Sequence, residues 1–449
     1  MIGLGRIGLP HALVSADSGN LVYGIDKNSW VIKTLIDKKT PFNEPAMKEL
    51  LVKHLNTRFF VTADMNDIIS KVDVIVICIG TRAEKRSDTS DLFRLVSELS
   101  KYDIKDKLII LRPTLPIGTT DLVRKTIEKL TGLLEGKHYF LVHSPERLVE
   151  GNAIEEERKL PKIIGAYNDE GFLRAKMYFK TIGGPIVRVS EPRVSEFIKL
   201  VDNAWRQLTF AFANDVAILA EYLGLDALEI IKAANYKYPR NQIPLPSYGV
   251  SGYCLTKDPY FLEESFEEIA KQRKFHSLWY YGRLTNDYMI THVRTLIDNL
   301  VNKYKHNIKP IKVVVLGLSY KNDVDDFRLS HGIDIVRILL QDAQFKISVY
   351  DPYLDLKHEN PYTSLATDLR DSVVIESELN NAFLNKDVAI LTVPHREFRE
   401  LNKSGKIIQL IKLMRKPPII IDGWNVFTKL YDCRNETGII YWGVGRGLR

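Results

Sequence analysis

A glycine-rich turn, followed at fixed spacing by an acid, constrains this chain more than any other feature. Gly3-Leu-Gly5-Arg-Ile-Gly8 opens a helical segment with Pro10 in its first turn, where proline is tolerated. The next apolar run, Leu21 to Ile25, ends at Asp26, 23 residues beyond Gly3. In a strand–turn–helix–strand unit, such glycines allow a tight turn and a close approach to a pyrophosphate at the positive end of a helix. The acid then reaches the ribose hydroxyls. An acid at this place favours NAD over NADP, tempered by the neighbouring Lys27. The bland alternative is a glycine turn that only packs helix on strand, and the surrounding helix, strand and acid weigh against it. Only Met1 and Ile2 precede Gly3, whereas such a domain sets a strand of about five residues ahead of the turn. The chain is therefore expected to begin further upstream.

Beyond the turn, short apolar runs alternate with helix-length segments. Leu21 to Ile25, Val72 to Ile79, Leu108 to Leu111 and Tyr139 to Val142 read as buried strands, with helices such as Leu9 to Ala16 and Leu92 to Lys101 between them. From Ser195 to Leu223 the chain runs almost without Gly or Pro, with apolar residues at helical spacing (Phe197, Leu200, Val201, Ala204, Leu208). A helix over Ala227 to Ala234, a Pro- and Gly-punctuated loop over Pro239 to Pro259, and more helix around Trp279 to Val301 follow. After Lys309 the first pattern returns: strand Lys312 to Leu316, Gly317, helix Ile333 to Leu340, strand Lys346 to Tyr350, Asp351. Asp73-Val-Ile-Val-Ile-Cys78 is echoed by Asp387-Val-Ala-Ile-Leu-Thr392. The fold class is therefore α/β, with two Rossmann-like doubly wound domains joined by a central helical domain with one long helix. The expected boundaries are 1–190, 191–305 and 306–449.

Composition narrows the functional classes. With 449 residues, about three domains of ~150 residues fit. Apolar residues at 45% and charged residues at 27% exclude a disordered or fibrous chain. No uncharged apolar run reaches the ~18 residues of a membrane helix, and no secretory leader is expected at the start. Cys78, Cys254 and Cys433 are an odd, widely spaced set without CxxC pairing, which points to a reducing cytoplasm and against a metal site. The net charge of +7 is spread among acids along the chain, so nucleic acid is not an expected partner, while a small anionic substrate is compatible.

Four clusters carry candidate chemistry. Cys254 lies in Tyr248-Gly-Val-Ser-Gly-Tyr-Cys-Leu-Thr-Lys-Asp258, where Gly249 and Gly252 make a loop and Lys257 can favour a thiolate nucleophile. A small buried hydrophobe is the alternative there, and it is the preferred reading for Cys78 and Cys433. Lys199, Asn203 and Arg206 share one face of the long helix, with Asn214 further on and an apolar face opposite. A solvated stripe is the alternative. Glu146, in Ser144-Pro-Glu-Arg147, follows a strand, where a crevice-facing acid belongs. Lys321 and Arg328 flank Asp325-Asp326, which suits a diphosphate or a surface ion pair equally well.

These motifs together resemble the UDP-glucose/GDP-mannose dehydrogenase family of nucleotide-sugar 6-dehydrogenases over nearly the whole chain. The matching segments come in family order: the Gly3 turn, Asn43-Glu44-Pro45, Thr114-Leu-Pro-Ile-Gly-Thr-Thr120, Ser144-Pro-Glu-Arg147 with Gly151-Asn-Ala153, and Glu196-Phe-Ile-Lys199 with Asn203. The Cys254 loop, Asn286-Asp287, Gly317-Leu-Ser-Tyr-Lys321 with Asp325-Asp-Phe-Arg328, and Gly443-Val-Gly-Arg-Gly447 complete the set. The resemblance implies a four-electron, NAD-dependent oxidation of a sugar's primary alcohol to a carboxylate through a thiohemiacetal and a thioester on Cys254. It implies that Lys199 and Asn203 stabilise oxygen charge and that Asp258 and Glu146 handle protons and water. It implies NAD contacts at Gly3, Gly5, Arg6, Ile7, Gly8, Asp26, Thr81, Thr114 and Glu150. It implies substrate contacts at Arg147, Leu148, Arg206, Arg240, Tyr248, Gly249, Lys257, Lys321 and Arg328, with Arg240 reaching across at least a dimer.

Ser144-Pro-Glu-Arg147, Asn203-Ala-Trp-Arg206 and Tyr238-Pro-Arg-Asn241 look most like the branch that oxidises UDP-N-acetylhexosamines, UDP-N-acetyl-D-mannosamine above all. The chain departs from the family pattern at several places. Ser247, Tyr248 and Ser251 stand for Gly, Pro and Gly; Leu329 and His331 for Glu and Pro; Trp424 for Arg; Pro113 for Ser. The competing readings are a UDP-glucose 6-dehydrogenase, a two-electron hydroxyacid-type dehydrogenase, which leaves the Cys254 loop unexplained, and a catalytically weakened nucleotide-sugar-binding relative.

Overall fold

In the computed structural model, which describes residues 1–83, 87–240, 242–357, 360 and 363–446, β-strand and helix alternate in the two stretches where the sequence pattern does. Asn241 and Gly447, named above, lie outside the described residues. The chain forms two compact units, residues 1–203 with 257–275 and residues 204–256 with 276–449. Two of the three boundaries between them fall inside helices, Pro192–Tyr222 and Tyr253–Arg273, and the third falls between helices Tyr253–Arg273 and Leu278–Tyr304.

In the first unit, Val74–Ile77, Leu108–Leu111 and Phe140–His143 pair in parallel; Lys162–Ala166 joins antiparallel and Ile186–Val189 follows parallel to it. Val22–Ile25 pairs in parallel with Phe59–Thr62. Ile2 bridges Ile25 on one side and Ile77 on the other, its N–H donating to Val76 and its C=O accepting from Cys78, both at 2.8 Å. A single residue thus occupies the position of the central first strand. Apolar side chains on both faces of these strands form the core, as near-continuous Val/Ile/Leu runs require in a parallel sheet. Behind the glycine turn, helix Gly8–Asp17 is anchored by fully buried Glu157, whose carboxylate meets His11 at 3.0 Å, Arg112 at 3.0 Å and Lys162 at 2.9 Å. Satisfied on three sides, that charge holds the helix in register.

The second unit has six parallel strands among the described residues. Their order is Val374–Ile375, Phe345–Tyr350, Ile311–Leu316, Val388–Leu391, Ile419–Asp422, Ile440–Gly443. Numbered along the chain this is 3-2-1-4-5-6, the doubly wound order that opens a ligand crevice between strands 1 and 4. The first unit repeats it, with Ile2 in first place and two strands added beyond the sixth. Helices Pro192–Tyr222, Ala227–Asn235, Tyr253–Arg273 and Leu278–Tyr304 lie between the two sheets in chain order.

The expected loop over Pro239 to Pro259 is shorter than the sequence suggested, because helix Tyr253–Arg273 begins ahead of Pro259 and runs through it. As the seventh residue of the helix, Pro259 gives up one bond of the i→i−4 ladder, and the helix continues through it. No described helix is long and apolar enough to cross a membrane.

Candidate active site

At the carboxyl end of the first sheet, the three glycines of the opening turn do different work. Gly3 has φ +93°, and a Cβ on it would come within 2.9 Å of the Cys78 carbonyl. A Cβ on Gly8 would stand 1.8 Å from the Gly3 carbonyl, so helix and turn meet there without space for a side chain. Around Gly5 nothing lies within 4 Å of where a Cβ would be. Bare backbone facing open space at the start of a helix fits a pyrophosphate. Asp26 accepts from Leu4 N–H at 2.7 Å and Asn28 N–H at 2.8 Å, which fixes its carboxylate at the end of its strand. Arg6 is buried, pairs with Glu150 at 3.2 Å and stacks on Phe42. Ile7 is half-buried beside it in the turn. These residues fit a dinucleotide, with Asp26 on the ribose and the glycine turn on the phosphates.

Deeper in the same unit lie four of the residues to which the resemblance assigns catalytic roles: Lys199, Glu146, Asn203 and Asp258. Lys199 Nζ lies 3.1 Å from Glu146, and both are buried. Asn203, one turn further along the helix, donates to Asp258 at 2.5 Å, and Asp258 also meets Lys257 Nζ at 2.8 Å. Lys257 continues to Thr81 Oγ1 at 3.2 Å, and Thr81 donates to the Thr114 carbonyl at 2.8 Å. Lys199 and Asn203 are thus each held by a carboxylate, and the chain of bonds ends at two threonines expected beside NAD. Leu148 N–H donates to Glu146 at 2.9 Å and sets the other oxygen of that acid.

Two buried carboxylates that the sequence reading left without a role hold this arrangement together. Glu196, three residues before Lys199, accepts from Gly118 N–H at 2.6 Å, Thr120 N–H at 2.7 Å and Thr120 Oγ1 at 2.5 Å. Burial, working against those three donors, pushes its carboxyl up to about 7. Glu44 accepts from Gly151 N–H at 2.8 Å and Ala153 N–H at 2.7 Å. Each acid clamps the entry to a helix, satisfying N–H groups that the helix itself leaves open. Their partners lie 76 to 109 residues away, so no local pattern announces them.

In the second unit, Cys254 is exposed in the first turn of helix Tyr253–Arg273, where the helix end stabilises the negative charge a thiolate carries. Cys78 differs: burial pushes its thiol up to about 12, in line with a structural role. Gly249, at φ +99°, leaves less than 3.2 Å for a Cβ against Asn286 and His331. Asn286 closes the loop by accepting from Val250 N–H at 2.6 Å and donating back to its carbonyl at 2.9 Å. Tyr248 is fully buried with its ring packed on Gly423, so its side chain belongs to the core. Burial also pushes the His331 imidazole down to about 3, which keeps it neutral.

The turn after strand Ile311–Leu316 repeats the first-unit design with one difference. Asp351, placed like Asp26, accepts from Leu318 N–H at 2.5 Å and Ser319 N–H at 3.1 Å, and His395 Nε2 closes on it at 3.1 Å. This acid is enclosed by its own protein. Of the two uses left open for Arg328, the ion pair is present: its guanidinium donates to both oxygens of Asp326, at 2.9 and 2.6 Å. Lys321 is half-buried in the same loop. Trp424 donates its indole N–H to the Thr392 carbonyl at 2.7 Å and keeps its ring 39% exposed.

Three arginines stand apart from these clusters. Arg147 is paired with Asp202 at 2.8 Å. Arg206 is exposed, and Gln207 rather than Arg206 continues the buried stripe of Lys199 and Asn203. Arg240 is exposed and folds onto Tyr238, its Nε 2.9 Å from the phenol oxygen. Among the described residues no group of three or more His, Cys, Asp or Glu is gathered as metal ligands would be.

Known proteins resemble this chain along its whole length. Three domain models of the UDP-glucose/GDP-mannose dehydrogenase family match in order: the NAD binding domain at residues 1–182, the central domain at 193–286 and the UDP binding domain at 314–429. The chain is 31% identical to a UDP-N-acetyl-D-mannosamine dehydrogenase of Pyrococcus horikoshii, over 100% of this chain and 99% of that protein. It is 29% identical to one of Campylobacter jejuni, over 91% and 97%. The solved structure of the Pyrococcus horikoshii enzyme superposes with a TM-score of 0.84 at 30% identity, covering 100% of this chain and 99% of that one. A Staphylococcus aureus UDP-N-acetyl-mannosamine dehydrogenase gives 0.81 at 28% identity, covering 99% and 98%. With the likeness unbroken from end to end and the cofactor NAD, this chain belongs to the UDP-glucose/GDP-mannose dehydrogenase family of NAD-dependent oxidoreductases.

Proposed function

We propose that the chain oxidises the primary alcohol of a UDP-N-acetylhexosamine, UDP-N-acetyl-D-mannosamine in the first instance, to the uronic acid. The observation that carries this reading is the pairing of each buried helix donor with a carboxylate: Lys199 with Glu146, and Asn203 with Asp258. Donors locked in place before substrate arrives are what a developing oxyanion needs, since no reorganisation remains to be done. The names and full-length coverage of the relatives support the substrate class.

In this reading, residues 1–190 hold NAD, 191–305 supply the catalytic helix and the contact with a second copy, and 306–449 hold the UDP-sugar. NAD, bound at Gly3, Gly5, Gly8 and Asp26, supplies the hydride acceptor for both oxidations. Lys199 and Asn203 hold the substrate oxygen as charge develops on it. Glu146 or Asp258 takes the alcohol proton. Cys254 sulfur bonds to the aldehyde carbon, giving a thiohemiacetal whose oxidation leaves a thioester. Water then adds to the thioester carbon, the carbon–sulfur bond breaks, and the thiolate returns as the carboxylic acid loses its proton to Asp258 or Glu146. Lys321 and Arg328 neutralise the diphosphate, Arg328 exchanging Asp326 for it, and Arg240 completes the site of a second copy. The cysteines, none of them in a disulfide, fit a reducing compartment.

A panel of UDP- and GDP-sugars tests the assignment. N-acetylated UDP-sugars are expected to exceed UDP-glucose in kcat/KM by at least ~10-fold, which needs only ~1.4 kcal/mol of differential transition-state binding. UDP-glucose as the best substrate of the panel would contradict the substrate reading.

A further inference from the structure

Three consecutive residues ahead of Cys254 are fastened to one loop of the second unit. Ser251 Oγ donates to the Tyr320 carbonyl at 2.7 Å. Gly252 N–H donates to the Leu329 carbonyl at 2.8 Å. Tyr253 lies beneath the Arg328 guanidinium, 5.5 Å from ring centre to Cζ. The approach is as close as backbone allows: Gly252 has φ +84°, and a Cβ on it would fall 2.2 Å from the Tyr320 ring.

The loop on the other side of these bonds has a shape of its own. Tyr320 N–H donates to the Asp326 carbonyl at 2.9 Å, and Ser330 Oγ donates to the Ser319 carbonyl at 3.1 Å. Leu329 holds φ +50°, a left-handed backbone uncommon for leucine, while presenting its carbonyl to Gly252. The same loop carries Lys321 and Arg328 and lies within the matched UDP binding domain. A nucleotide that draws either cation acts on the loop to which the cysteine turn is tied. Of the three fastenings, the Ser251 bond runs through a side-chain hydroxyl that one substitution removes, whereas the Gly252 bond is backbone alone.

We propose that Ser251 is a positioning residue, whose bond to the Tyr320 carbonyl transmits nucleotide occupancy of the 317–330 loop to the turn that presents Cys254. The proposal rests on the reading of Cys254 as nucleophile.

The test is alkylation of Cys254 by iodoacetamide in the full-length enzyme, followed by peptide mass mapping, with and without UDP. UDP is expected to change the wild-type rate at least ~3-fold and the Ser251→Ala rate less than ~1.5-fold, with Ser251→Thr behaving as wild type. In turnover, Ser251→Ala is expected to lower kcat ~5- to 20-fold while KM for the UDP-sugar and the Kd for UDP stay within ~2-fold. Ser251→Gly removes the hydroxyl without adding bulk and gives the same readout if the alanine variant does not fold. No effect of UDP on the wild type, an equal effect with and without the hydroxyl (simple shielding by the nucleotide), or unchanged kcat overturns the proposal. Cys254→Ser separates the two readings. Uronate formation by that variant overturns the nucleophile itself, whereas an inactive Cys254→Ser beside an unaltered Ser251→Ala overturns only the coupling.

Discussion

One methyl group distinguishes two glycines that a motif treats alike. At Gly5 it would enter open space where the proposed NAD site would hold a phosphate, and at Gly8 it would meet the Gly3 carbonyl at 1.8 Å. Gly5→Ala is therefore expected to keep the melting temperature within ~2 °C while raising KM for NAD at least ~10-fold, a loss of binding without a loss of fold. Gly8→Ala is expected to destabilise the protein by roughly 2 kcal/mol or more, because a carbonyl and a helix must both move. Calorimetric melting and NAD titration of the two variants check this; equal effects on both would contradict the division of roles. The glycine turn with Asp26 and the shared helix face of Lys199 and Asn203 were legible because their spacing is local, whereas Asp258 drew attention only through the family resemblance. Glu44 and Glu196 were not, because what they bind is backbone far along the chain, and backbone carries no sequence.

The helix Pro192–Tyr222 shows where periodicity stops informing. Its spacing predicts an apolar stripe opposite Lys199 and Asn203, and the structure splits that stripe: Leu200 and Ala204 are buried along with Lys199, Asn203, Gln207 and Asn214, while Phe197, Val201, Trp205, Phe212 and Leu219 are exposed. Hydropathy assigns the apolar side to a protein's own core, and here buried polar groups share the inner side with small and aliphatic residues. A row of exposed aromatic and aliphatic side chains along 31 residues is far more than a lone protein leaves uncovered. A second copy is the occupant we propose. Trp205, 67% exposed, is its central anchor. Light scattering is expected to find at least a dimer for the wild type and a smaller species for Trp205→Asp. A fully active wild-type monomer, or an unchanged mass for the variant, would contradict it.

At the scale of the molecule, the repeated strand–glycine–helix–strand–acid pattern pointed to two related doubly wound domains, and the structure gives both sheets the strand order 3-2-1-4-5-6. The added strands Lys162–Ala166 and Ile186–Val189 escaped, since a reversal of direction at a sheet edge leaves no mark on hydropathy. The two copies of the pattern also diverge in a way spacing cannot report. Asp26 is held by backbone at the end of its strand, whereas Asp351 is enclosed by Ser319 and His395. One design thus serves a dinucleotide site in the first unit and the UDP binding domain in the second. What joins them functionally is the claim that a single substrate is oxidised twice, with Cys254 carrying it between the oxidations. Counting NADH formed per UDP-N-acetyl-D-mannosamine consumed tests that claim most directly. The wild type is expected to give two NADH and one uronic acid per sugar, and Cys254→Ser no uronic acid. One NADH per sugar with an aldehyde or ketone as the final product would contradict it.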